Sequence, residues 1–147
     1  MKVHEIQDAA RTQVSFRISE PHLIPEEVTK NLNLRPDHVH RQGDFPKANP
    51  KYSVYKHGMW LLKSKLSEEQ PLETHLDSLL SILEPNRPYI QLLSQSASVD
   101  FYCILYAQGG FQLSSRILKR ISALEAVLGV VVYNDDVISD AESQLMV

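Results

Sequence analysis

The chain has 147 residues, 43% hydrophobic and 22% charged, with a formal net charge of −3 and one cysteine. That length fits one domain with a sizeable core, the lone cysteine excludes an internal disulfide framework, and no apolar run approaches the roughly 18–20 residues of a membrane span. The N-terminal MKVHEIQDAART lacks the apolar centre of a signal peptide. The expectation is therefore a cytoplasmic single domain over residues 1–147, with a core from about 12 to 134 and loosely held termini.

Thr12 to Ser19 alternates, with Val14, Phe16 and Ile18 inward and Ser15 and Arg17 outward, which predicts a half-buried strand. Glu20-Pro21-His22 turns the chain. Pro25 suits a first helical position, and Glu26 and Glu27 follow where the helix dipole favours negative charge. Ile24, Val28 and Leu32 form one stripe, Glu26 and Lys30 an i,i+4 pair, and Arg35-Pro36 ends the helix. Residues 35–57 read as a long loop, with Pro36, Pro46, Pro50 and Gly43 breaking any period; Tyr52 to Tyr55 is the candidate edge strand within it.

Met59 to Lys65 predicts the next strand. Ser67 to Gln70 opens a second helix, with Pro71 near its start, whose Leu72, Leu76, Leu79, Leu80 and Leu83 make a strong stripe, and a short helix over Tyr89 to Gln95 follows. Ser98 to Ala107 is the longest strand-like run. Val99, Phe101, Cys103 and Leu105 fall on one side of it and Tyr102, Ile104 and Tyr106 on the other, the pattern of an interior strand. After Gly109-Gly110, Ser114 caps a helix with a Leu113–Leu118 staple; Ile117, Ile121, Leu124 and Leu128 line its buried side, and Gly129 is placed to end it. Val130 to Asn134 is the last strand, and the tail from Asp135 is acidic.

Each end of the chain thus reads strand, helix, strand. Two such units give an α+β domain of ferredoxin-like split βαβ type (βαββαβ), with residues 67–96 as a helical insertion between strands 2 and 3. Its first and third strands are central and parallel in that fold. Helices cover one face, and Tyr102, Ile104 and Tyr106, with Trp60 or Tyr133, fall on the other, a patch to be covered by the inserted helix, by the long loop, or by a second copy of the chain as a homodimer.

The net charge conceals a segregation. Between Arg35 and Lys65, seven bases (Arg35, Arg41, Lys47, Lys51, Lys56, Lys63, Lys65) face only Asp37 and Asp44, a local +5 against −8 elsewhere. Such segregation sets up a local positive field on an acidic protein. Arg41-Gln42-Gly43-Asp44, with Arg35, His38, His40, Lys47 and Lys51, is the candidate site, because guanidinium forks and turn N–H groups hold phosphates and carboxylates. The competing structural reading has Gly43 making a turn, Asp44 capping it, and the bases solvating a loop. His38-x-His40 places two imidazoles on one side of an extended segment, but zinc needs three or four ligands, and no metal or other cofactor is expected. Phe45, Tyr52, Tyr55 and Trp60 lie among the bases, an interleaving that can also stack nucleobases, although the overall acidity and the lack of an RNA-recognition signature weigh against nucleic acid. Cys103, between Phe101 and Leu105, reads as a buried small apolar residue, and His22 and His75 as surface histidines.

In order, IPEEVTKNLNLRP, RQGD, GMW, the LETHLDSLLSILEP helix and FQLSSRILKRISALEAVLGVVVYN resemble the uncharacterised bacterial family known as domain of unknown function 4279. The likeness runs from about Val14 to Asn134, and Met59 departs from the family's G-W pattern by standing between Gly58 and Trp60. The resemblance implies a fold and no activity, substrate or cofactor. Small families of this kind occur near toxin genes, so an immunity-like role is the analogy it offers. The expectation is a non-enzymatic protein-interaction module. Its basic loop meets an acidic partner, and Arg35, His38, His40, Arg41, Gly43, Asp44, Lys47, Lys51 and Trp60 are the binding residues. The alternatives are nucleic-acid or phosphate-ligand binding through the same loop, and an enzyme using Arg41, Asp44 and His40.

Overall fold

The computed structural model describes residues 11–106 and 110–134. Expectations for the N-terminal residues, Ala107 to Gly109 and the acidic tail lie outside the described residues. The elements in order are β1 (Arg11–Glu20), α1 (Pro25–Leu32), β2 (His38–His40), β3 (Gly58–Lys63), α2 (Leu72–Leu83), α3 (Arg87–Leu93), β4 (Ser98–Tyr106), α4 (Ser115–Ala123) and β5 (Val127–Tyr133), with short 3-10 turns at Pro46–Ala48 and Glu84–Asn86. The class is α+β, built on one five-stranded mixed sheet of order β2-β3-β1-β4-β5.

This strand order is not that of the expected ferredoxin-like fold. β1 and β4 are central, but they are antiparallel. The physical reason lies in β2, a strand of three residues near the start of the predicted loop. β3 pairs antiparallel with both β1 and β2, so β1 and β2 run the same way. The crossover through α1 therefore lands on β2, one position out, and β3 returns by hairpin into the gap. In the second half the short link after α4 returns the chain directly to β5, parallel and next to β4. The two halves are thus unlike. The helical insertion between β3 and β4 is present as α2 and α3. The edge strand is His38–His40, not Tyr52–Tyr55, which takes no strand conformation.

One face of the sheet is dry. Val14, Phe16 and Ile18 of β1, Trp60 and Leu62 of β3, and Val99, Phe101, Cys103 and Leu105 of β4 form a single core with the helix stripes: Val28 and Leu32 of α1, the five leucines of α2, Ile90 of α3, and Ile117 and Ile121 of α4. Alternation delivers this, because successive strand side chains point to opposite faces. Trp60 is fully buried, edge-on to Phe16, and its Nε1–H donates to Thr29 Oγ1 at 3.0 Å. Gly58 begins β3 where a side chain would not fit. A Cβ there would sit 2.9 Å from both the Cβ and the carbonyl oxygen of Leu23.

Helix ends follow local chemistry. Pro25 opens α1, and Asn33, at φ 54°, closes it before Arg35-Pro36 is reached, its N–H donating to the Thr29 carbonyl. Ser114 caps α4 by accepting the Ile117 N–H at 3.3 Å. That helix ends earlier than the apolar spacing predicts. Glu125 takes φ 57°, and Leu128 and Gly129 lie in β5. Leu118 is exposed. His75 is the other departure: on α2 it is buried, with Nδ1 2.6 Å from the Ser64 hydroxyl.

Candidate functional site

The segment after β2 is a shaped loop. The Asp44 N–H donates to the Arg41 carbonyl at 3.1 Å, closing a turn in which Gly43 has φ +91°, a left-handed conformation that favours glycine. The Asp44 carboxylate accepts the Arg41 N–H at 2.8 Å. Two further bonds clamp the loop to its returning limb: Gly43 N–H to the Tyr55 carbonyl and Tyr55 N–H to the Asp44 carbonyl, both 2.9 Å. The Tyr55 ring stacks on His40, centroids 3.5 Å apart and planes 4° from parallel, and His40 Nδ1 lies 2.8 Å from His38 Nε2. Burial, with His38 adding to it, pushes the His40 pKa below its ordinary value, so the ring is neutral at pH 7.

His38, His40, Gly43, Asp44 and Lys47 line one open depression of about 460 Å³, together with Phe45 and Tyr55. The structure therefore brings five of the nine predicted residues together. Arg41 adjoins them, but its guanidinium is turned to α1, 2.7 Å from Glu26, in place of the expected Glu26–Lys30 pair. Arg35 and Lys51 are exposed elsewhere on the loop. Trp60 is a correction: it belongs to the core and offers no surface, because its position in β3 falls on the helix-covered face.

The charges divide into spent and unspent. Asp37 is held by Lys65 and by the Lys63 N–H, and these outweigh desolvation to keep its carboxyl below the ordinary value. Arg41 is used on Glu26. Arg35, Lys47, Lys51 and Lys56 make no ion pair among the described residues. Beside them Phe45, Tyr52 and Val54 are 43%, 46% and 44% exposed. Val54 carries no periodic signal in the sequence, and no local pattern encodes the clamp at Gly43–Tyr55. For acid–base chemistry the constellation is already engaged. Asp44 caps its own turn, and His40 is bonded to His38 and covered by Tyr55. Among the described residues no group of three or more His, Cys, Asp or Glu is arranged to hold a metal ion.

An α+β domain with an ordered, exposed basic loop is thus defined by its fold and surface. The chain belongs to the family described as Domain of unknown function (DUF4279), whose model matches residues 10–135. Neither the curated proteins nor the solved structures contain a match to it. Among the described residues no helix is long and apolar enough to cross a membrane.

Proposed function

We propose that this protein is a protein-interaction module whose β2–β3 loop contacts an acidic partner. One observation carries the reading: Phe45, Tyr52 and Val54 stand exposed on a loop pinned at its base, among the unpaired Lys47, Lys51 and Lys56. Exposed aromatics on a pre-ordered scaffold are the usual anchors of protein interfaces, and surrounding charges steer association and set its salt dependence. Nucleic acid is the weaker fit, since Tyr55 is already stacked and Trp60 is buried, leaving two of the four aromatics free to stack bases. Self-association through the open sheet face and an immunity-like role in a bacterial cytoplasm belong to the same reading.

The test is capture from the source lysate at low and moderate salt, wild type against a Lys47→Glu, Lys51→Glu, Lys56→Glu variant. The reading predicts a protein held by the wild type at low salt, weakened by salt and lost in the variant. Nucleic acid in place of protein, or equal capture by both forms, overturns it.

A further inference from the structure

The opposite end of the β1–β3 pair carries a cavity unrelated to the loop. β3 stops at Lys63, yet the chain stays beside β1. The Ser64 N–H donates to the Val14 carbonyl at 2.9 Å, and the Thr12 N–H donates to the Glu68 carbonyl at 2.7 Å. β1 steps only from Val14 to Thr12 while its neighbour steps from Ser64 to Glu68, so the intervening residues bulge outward. A cavity of about 480 Å³ opens beside this bulge, a volume within the range of small-molecule sites.

Its mouth is on the open sheet face. Ser15 lies there between Lys63 and Tyr102, its cross-strand neighbours, and a small side chain between two long ones leaves a notch. Its inner end reaches two buried polar groups. Thr12 Oγ1 has no hydrogen-bond partner among the described residues. His75 Nδ1 lies 2.6 Å from Ser64 Oγ, which also accepts the Leu66 N–H at 3.3 Å. His75 Nε2 has no hydrogen-bond partner among the described residues.

The unpartnered donors of the lining point to an anion near Ser15. Glu68, its one acidic residue, keeps its charge and accepts a hydrogen bond from Gln13 Nε2 at 2.7 Å. Arg17 is forked onto Asp100 at 3.0 and 2.6 Å and stacked over Tyr102. The Lys63 ammonium makes no ion pair, and the Ser15 hydroxyl no hydrogen bond, among the described residues. Leu61, Leu66 and Ile104 complete the walls. We propose that this cavity binds a small amphipathic anion, with a carboxylate or phosphate group over Ser15 beside Lys63 and an apolar body against Leu61, Leu66 and Ile104.

The test uses hexanoate, hexyl phosphate and 1-hexanol, titrated into the full chain and followed by amide chemical shifts. At least one anion is expected to give saturable shifts at Ser15, Leu61, Lys63 and Tyr102, with 1-hexanol about tenfold weaker or more. The tighter of the two anions distinguishes a carboxylate ligand from a phosphate one. Lys63→Gln, at an exposed side chain, is expected to weaken the anion about tenfold, the scale of one charge-assisted hydrogen bond, and to leave hexanol unchanged. Ser15→Leu fills the notch and is expected to abolish binding while the spectrum stays dispersed. Hexanol binding as tightly as the anions, no saturable shift at those amides, or unaltered affinity in Lys63→Gln each overturns the proposal.

Discussion

Arg120 is the side chain whose removal most directly tests how the helices are held together. From α4 its guanidinium reaches α2 and the turn after it. Nε and Nη2 fork onto Glu84 at 3.0 and 2.6 Å, Nη1 donates to Asp77 at 2.5 Å, and Nη2 donates to Ser81 at 3.3 Å. The arginine side chain is only 18% exposed, whereas Asp77 and Glu84 are each more than a third exposed. Hydrogen bonds to charged groups contribute about 1.5–3 kcal/mol apiece, but Arg120→Ala lets both carboxylates rehydrate and leaves Arg116 3.6 Å from Asp77. The discounted loss is about 2 kcal/mol, or a fall of about 4–8 °C in Tm for a chain of this size. The pH dependence adds a second readout. Hydrogen bonding to Arg120 holds the pKa of both Asp77 and Glu84 below their ordinary values. The folded state thus binds fewer protons than the unfolded chain. The stabilisation is fully present above the unfolded carboxylate pKa of about 4 and is lost as pH falls through the lowered folded values. Urea unfolding at pH 7 and through the acid range measures both. An Arg120→Ala loss below about 0.5 kcal/mol, the scatter of ordinary surface substitutions, or an acid limb as steep as the wild type, would refute the reasoning.

Gly58→Ala forces a methyl to 2.9 Å from the backbone of Leu23 and should cost about 1–3 kcal/mol, read from the denaturant midpoint; an unchanged midpoint contradicts the packing described. Cys103, its thiol pKa pushed up to about 12 chiefly by burial, should resist iodoacetamide in the folded protein and react fully once unfolded, so rapid native alkylation would place it elsewhere. Tyr55→Ala removes the stack on His40 and should speed hydrogen exchange at the Gly43 amide about tenfold with little change in Tm; equal protection would mean that the stack does not brace the loop.

Where chemistry is local, the sequence was readable. Val14, Phe16 and Ile18, the leucines of α2, and the Ser114 cap each announce their element through spacing or a single hydrogen bond, and all lie where that spacing predicts. What was not readable depends on distant partners. His38-Val39-His40 is too short to show a period, yet it decides the topology, because pairing with Met59, Trp60 and Leu61 sends the first crossover past β3's position. His75 looks like a surface residue on an α2 helix until Ser64 and Thr12 are brought beside it. Trp60 reads as part of a basic, aromatic stretch, and only the register of β3 against β1, with Ile18 opposite it, turns the indole inward. The candidate site shows the same division. Gly43 and Asp44 signal their turn locally, whereas the exposure of Phe45 and Tyr52 and the capture of Arg41 by Glu26 are tertiary.

The measurement that bears most directly on the interaction reading is the affinity of the captured partner for three forms of the protein: wild type, Phe45→Ser with Tyr52→Ser on the loop, and Tyr102→Ser on the open sheet face. Anchor residues at an interface contribute about 2 kcal/mol or more each when truncated. The loop variant should therefore bind at least about thirtyfold more weakly, with its Tm unchanged, and the sheet-face variant should bind as the wild type does. A loop variant that binds normally while Tyr102→Ser fails would contradict the account and move the interface to the sheet.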